Sequence, residues 1–576
     1  METGSRKIGP IFVGWLLIAV ATAGAAIPHI DALGLYYDEA FLAQQALDFL
    51  EPEGAGQHPP SVRTLTLCGR PFPLRNAVYL GSLKSQSLIP ALAFGGASPA
   101  TVRIMTLATG LLALGLAMLW AARLFGQATA LWMGVLVASD PAFYFLSQFE
   151  WGPFTTNFLC RSGAALLITL AWQSSSPARR LICAIGGGAL LGLGVFSRAD
   201  FILIPAAAAV ALVLCRPDLV GQALRARREL LIAGFAAFLL AALPMIGSLA
   251  ELLQSTGVTA ERGDLLFRAQ VLWQSLDGSH FLRLMETGGL FELTPGVDAP
   301  GGLLGWMIVP AAALLLLDAR RRSRRQPVSA PDPRSFLLVF ALLLTGLMLA
   351  LPGAVRAHHQ LNTLPLLHLI VASAAVTLWR SGPGSARSLT RGLCGAVLVA
   401  VVAGNVLLIA KTSRFIETTG GRGRWSHALD EFAAGVETRQ ASTVVSLDWG
   451  FHEPLLFLTR NVRLVESIWT LPRQLASGRP WDFTAAANTT YLVHDFPYDL
   501  FGLGPKFLLA ARLLGEPAAQ IEVHRDGSGD PAFYSVRIPR PHRLRYDGNF
   551  RIRFPEAPAK APAESERSGA GAGTNQ

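Results

Sequence analysis

Long apolar runs separated by short polar breaks set the architecture of the chain. Eleven runs are candidates for membrane-spanning helices: about 11–29, 100–122, 127–139, 155–172, 181–196, 201–215, 229–250, 302–317, 335–352, 361–379 and 391–410. A helix needs roughly 20 apolar residues to cross a bilayer, and 127–139 and 181–196 are short for a full crossing. Three longer polar stretches, 30–99, 251–301 and 411–576, stand between or after the runs.

In the first stretch, Asp38 to Leu50 has helical spacing, with Phe41, Ala46, Leu47 and Leu50 on its apolar side. The Pro- and Gly-rich residues 51–60 break it. The segment from Tyr79 to Pro90 then leads into the second run. Amphipathic helices lying on a membrane surface suit these pieces. The stretch 251–301, with Glu251, Glu261, Arg262, Asp264 and Arg268, predicts interfacial helices and a loop.

After about residue 411 the pattern shortens. Residues 442–447, 490–494, 521–524 and 533–538 read as strands. Helical patterns fall at about 425–438, 453–460 and 505–515. The expected organisation is a helical membrane part over 1–410, a small α/β domain over 411–555 and a disordered tail over 556–576. That tail of Ala, Gly, Pro, Ser and Glu has no core-forming pattern. No internal repeat is evident, which weighs against a two-fold transporter.

Composition agrees: the chain is 51% hydrophobic and 15% charged, against about 25% charged in soluble domains. The net charge of +10 is explained by placement. With the N-terminus inside, the inner segments hold Arg6 and Lys7, Arg123, Arg179 and Arg180, Arg216 with Arg225, Arg227 and Arg228, the arginine-rich run 320–325, and Arg380, Arg387 and Arg391. This is the positive-inside bias, so the charge signals topology and no nucleic-acid partner is expected. The first run is read as an uncleaved anchor, because cleavage would reverse every later span. An odd number of spans puts the C-terminus outside, together with the loops 30–99, 140–154, 251–301 and 353–360. Of the five cysteines, only Cys68 lies in an outer segment, so no disulfide framework or cysteine metal site follows.

The candidate chemistry collects on that outer face. Asp38 and Glu39 form an acidic pair beside Tyr36 and Tyr37. A carboxylate there can serve as a general base if its pKa is lifted toward working pH, and the bilayer edge supplies desolvation. The alternative is that Asp38 caps the helix. Asp140 and Glu150 follow the third run, and the alternative there is a helix stop and restart at Asp140-Pro141. Asp38 and Asp140 together are candidate ligands for a divalent cation. Lys84 can hold a phosphate or snorkel to the interface. Arg356, His358 and His359 join the ninth and tenth runs and could meet a phosphate, while His368 reads as a packed polar residue. Arg198 either contacts substrate or pairs with Asp200. Glycine-rich phosphate loops, Gly-x-Ser-x-Gly and His-Glu-x-x-His are absent from the sequence.

The order of these elements carries a resemblance. An apolar anchor is followed by Tyr36-Tyr37-Asp38-Glu39-Ala40, then Tyr79 to Lys84 before the second run, then Arg123-Leu-Phe-Gly126, then Asp140-Pro141 with Trp151-Gly-Pro153. Over about 1–410 this resembles the GT-C glycosyltransferases, and is most similar to bacterial relatives of protein O-mannosyltransferases (glycosyltransferase family 39) and aminoarabinose transferases. The resemblance implies transfer of a sugar from a polyprenyl-phosphate carrier to a glycan, lipid or protein hydroxyl at the outer face of the bacterial inner membrane. It implies that Asp38 is the base or metal-site residue, with Glu39 its neighbour and Asp140 the second acidic residue. Lys84, Arg356 and His359 would contact the donor phosphate, and Glu150 and Arg198 would be secondary substrate residues. This chain has His358-His359 where many relatives have Arg and Tyr. Attack opposite the phosphate would invert the anomeric centre. The alternatives are a glycan ligase using a lipid diphosphate and a non-enzymatic transporter.

Overall fold

The computed structural model describes residues 9–52, 58–59, 61–255, 265–288, 299–325, 332–351, 356–380, 386–436, 443–459 and 462–555. The expected tail over 556–576, the residues Glu261, Arg262 and Asp264, and part of the loop 353–360 lie outside them.

Every apolar run falls on a helix, from Gly9–Ala26 and Pro99–Phe125 through to Leu366–Arg380 and Ala386–Thr419. Among the described residues seven helices are long and apolar enough to span, and up to nine if each of two bent pairs is one span. The run at 127–139 became Gln127–Ala138, a helix of 12 residues. The run at 201–215 ends at Arg216 with a bend of 104°. Pro217 stands at the start of the next helix, where its fixed φ and missing N–H are tolerated. The last membrane-type helix continues to Thr419, past the expected boundary at 410.

The first polar stretch is only partly helical. Helix Tyr37–Leu50 is present as expected, but strands Arg63–Leu67, Arg70–Ala77 and Leu80–Gly81 form an antiparallel sheet before helix Leu83–Gly95. Alternation of side chains in Arg63–Leu67 is obscured because both faces are exposed, so no period-2 signal marked it. Leu80 bridges to Arg198, and Ala199 N–H donates to Tyr79 O at 3.0 Å. The sheet therefore fixes the turn after helix Pro177–Ser197.

The C-terminal unit holds a five-stranded sheet in the order Arg463–Glu466, Thr443–Ser446, Thr489–His494, Pro531–Ile538, Gln520–Arg525. The first three strands run parallel and the last two add antiparallel. Three short strands, Trp481–Ala485, His542–Tyr546 and Phe550–Arg553, make a second sheet. Helix His452–Leu458 packs on Tyr37–Leu50, where Phe457 joins Ala43, Leu47 and Leu88 in one apolar cluster. At Gly34 the approach is closer still: a Cβ would collide with the Ser426 backbone, and Gly34 N–H donates to Trp425 O at 3.1 Å.

Candidate functional site

Helix Tyr37–Leu50 delivers the acidic pair, and its start is fixed by Glu39 rather than Asp38. Glu39 Oε2 accepts from Tyr36 N–H at 3.3 Å, which satisfies one of the free N–H groups at the helix start. The expectation that Asp38 is the helix cap is thus corrected. Glu39 also takes a two-pronged bond from Arg103, at 3.1 and 3.0 Å. Arg103 spends its remaining donors on Ile30, Leu33 and Gly34 carbonyls at 2.8, 2.8 and 2.9 Å. Its guanidinium lies 4.8 Å from the Phe149 ring. Glu39 and Arg103 are both fully buried. Adjacent helical residues point about 100° apart, so clamping Glu39 inward turns Asp38 toward the open side.

Asp38 is half-buried. Burial lifts its carboxyl to about 6, against the pull of Arg356 and a backbone hydrogen bond from Gly152, with Glu39 pushing it up. Gly152 sits at φ 55, a conformation open to glycine at little cost. Beyond Gly152 lie Arg198 and His358, each 3.8–3.9 Å from where a Cβ would stand. Arg198 is tied to Asp200 at 2.6 and 2.8 Å. Asp200 also meets His359 Nδ1 at 2.9 Å and Asn362 at 3.4 Å. Among the described residues, the buried Arg198 Nη1 and His358 Nδ1 have no hydrogen-bond partner. Arg161 secures the same segment by donating to Asn362 O at 3.0 Å, with its guanidinium 4.8 Å from the Phe158 ring. Arg356, Arg198, Asp200 and Asp38 all act electrostatically on the Tyr79 hydroxyl. Burial, with Arg356 adding to it, holds the neighbouring His280 down at about 3.

The aromatic side of the site comes from both parts of the chain. Trp425 stacks on Tyr36 at 3.9 Å, Trp449 approaches Tyr37 at 4.5 Å, and Trp151 contacts Trp425 at 5.2 Å.

Other expected site residues stand elsewhere. Lys84 and Glu150 pair with one another at 2.6 Å, both buried. Lys84 also donates to Thr106 at 2.8 Å, and Glu150 accepts from Thr155 N–H at 2.6 Å. Their charges face one another inside the bundle, so the structure brings these two expected site residues together as an ion pair. Asp140 caps helix Pro141–Leu146 through Ala142 N–H at 2.8 Å and meets His368 at 2.7 Å, both side chains buried. The helix restart at Asp140-Pro141 is therefore real, and Asp140 is held there by Ala142, Phe143 and His368. Among the described residues no group of three or more His, Cys, Asp or Glu side chains could hold a metal.

Sequence reasoning missed Arg103, Trp449 and the Asp140–His368 pair. Arg103 did leave a signal: a lone arginine in the first turn of an apolar run demands a buried carboxylate partner, and Glu39 was the nearest unexplained one. Trp449 left none, because its partner Tyr37 is 412 positions away in the chain.

No family model and no curated protein matches the chain. Solved structures do. The chain is similar to ArnT from Cupriavidus metallidurans in the apo state, with 12% identity, TM-score 0.56, and coverage of 91% of this chain and 98% of that one. It is similar to the same protein bound to undecaprenyl phosphate, with 12% identity, TM-score 0.54 and the same coverage. At this identity the likeness is one of fold. The expected helical membrane fold with a small C-terminal α/β unit is borne out.

Proposed function

We propose that the chain is a membrane glycosyltransferase. In this reading it moves a sugar from a polyprenyl-phosphate donor to an acceptor hydroxyl at the outer face of a bacterial inner membrane. The observation that carries the reading is Asp38: a half-open carboxylate lifted to about 6, facing Arg356, with the unpartnered Arg198 Nη1 behind Gly152. The fold likeness to ArnT bound to undecaprenyl phosphate supports a lipid-phosphate donor.

The donor phosphate rests on Arg356 and Arg198, with the His358-His359 segment beside them. Asp38 takes the proton of the acceptor hydroxyl as that oxygen attacks the anomeric carbon. The bond from that carbon to the phosphate oxygen breaks, and its electron pair leaves with the lipid phosphate. The cations neutralise the charge that develops there. Attack opposite the leaving group inverts the anomeric centre, so NMR of the product should find the configuration reversed. Glu39, held by Arg103, positions Asp38. Asp200, held by Arg198, positions His359. Lys84, Glu150 and Asp140 hold the bundle around them.

The test is a deletion strain complemented with variants, read by lipid analysis. A sugar-loaded polyprenyl monophosphate should accumulate in the deletion and with Asp38→Asn, whereas the native gene clears it. Removal of a general base costs about 10²–10⁴ in rate. Full clearance by Asp38→Asn would sink the proposal. Accumulation of a glycan on a lipid diphosphate, with Arg356→Ala inactive, would favour the ligase reading instead.

A further inference from the structure

The surroundings of Asp38 are polarised, and the polarity bears on the acceptor. On one side stand Arg356, Arg198 and Tyr79; on the other, Tyr37, whose hydroxyl feels Glu453, Glu466 and Asp38. An anionic donor belongs on the basic side. The opposite side is aromatic, with carboxyls that burial keeps protonated, and it suits a neutral, hydroxyl-rich molecule.

Trp449 forms that side from the C-terminal unit, and it is held with unusual firmness. Its N–H donates to Asp448 at 2.8 Å. Arg424 donates to its carbonyl and lies 5.5 Å from its ring. Arg424 also bonds Asp448 at 2.9 Å, and His494 bonds the same carboxylate at 2.7 Å. Arg424, Asp448 and His494 are all buried. Burying such an ionic set rarely beats apolar packing as a source of stability, so its return here is the fixed orientation of one tryptophan. Trp449 and Tyr37 are nonetheless only half-buried, and their rings meet at 34° rather than stacking flat.

Beside Tyr37, Glu453 is fully buried and neither of its carboxyl oxygens has a hydrogen-bond partner; Glu466 Oε2 is likewise unpartnered. Buried polar atoms of this kind cost stability unless something occupies them. An aromatic face with uncommitted carboxyl oxygens is the chemistry that holds a sugar ring: C–H groups on the ring face, hydroxyls on the oxygens.

We infer that Trp449 and Tyr37, with Glu453 and Glu466, form an acceptor subsite for a neutral sugar, so that the acceptor is a glycan and the C-terminal unit completes the active site. This rests on the glycosyltransferase reading above. The donor's own sugar is the other source of such a ring, and the arms below separate the two.

The full-length protein in lipid nanodiscs would be probed by saturation-transfer NMR with neutral methyl glycosides of glucose, galactose, mannose, arabinose and N-acetylglucosamine. Binding of undecaprenyl phosphate would be measured in parallel. At least one glycoside should bind through its ring protons, equally well with undecaprenyl phosphate present. Trp449→Ala should weaken it about tenfold, as expected for loss of one stacking face, and Trp449→Phe should restore part of it. Glu453→Gln should weaken the same glycoside, and undecaprenyl phosphate affinity should stay within twofold in all three. Glycoside binding that is absent, indifferent to Trp449→Ala and Glu453→Gln, or displaced by a serine/threonine peptide overturns the inference. Failure of undecaprenyl phosphate to bind the unaltered protein instead overturns the donor reading and is recognised separately.

Discussion

At the scale of single residues, the opposition of burial and Arg356 at Asp38 sets a measurable pH response. Burial raises the carboxyl to about 6 and Arg356 pulls it down. The base must be ionised, so activity should be low below that value and rise through about pH 6. Replacing Arg356 by Ala removes the opposing charge and should move the acidic limb to higher pH, while Lys should largely keep it in place. A rate profile from pH 4.5 to 8 on the native protein and both variants checks this. An acidic limb that stays put in Arg356→Ala would break the assignment. Asp38 was legible in the sequence because a carboxylate at a membrane edge is costly without a role. What Glu39 does was not legible, because two adjacent carboxylates look alike until the helix turns them to different partners.

At the scale of elements, Arg103 is the pin that joins the second long helix to the loop before Tyr37–Leu50. All five of its hydrogen bonds go to residues 30–39. Arg103→Leu leaves Glu39 buried with no opposite charge, and should cost about 3–5 kcal/mol. Adding Glu39→Leu should recover part of that loss, since the uncompensated charge is then gone. Thermal unfolding in detergent of the native, single and double variants measures it; a double variant as unstable as the sum of both singles would refute the pairing. The helices themselves were plain from the apolar runs, down to Tyr37–Leu50 against an expected 38–50. The small sheet over 63–81 was hidden because its exposed first strand has no buried face. Composition registered the apolar length of the run at 201–215 and was blind to the bend of 104° that follows it.

At the scale of the whole molecule, the site exists only where the C-terminal unit seats on helix Tyr37–Leu50, and one group in that seam makes the seating sensitive to pH. Burial holds the Glu453 carboxyl at about 8, with His58 pulling it down and Asp48 pushing it up. Glu466 and Tyr37 face the same seam, and their own acids are raised by burial first and by Glu453 among other charges. In the unfolded chain Glu453 ionises near the ordinary glutamate value of about 4.3. Between that value and 8 the folded protein keeps a proton that the unfolded chain has lost, so stability falls as pH rises across this window. Glu453→Gln keeps the shape and cannot ionise, so its melting temperature should fall less between pH 5 and pH 8 than that of the native protein. At pH 8 the variant should melt several degrees higher, and at pH 5 the two should lie close together. Parallel curves at every pH would mean that Glu453 is charged in the fold and has a partner in the seam. A larger gap at pH 5 than at pH 8 would reverse the sign and exclude the buried neutral acid.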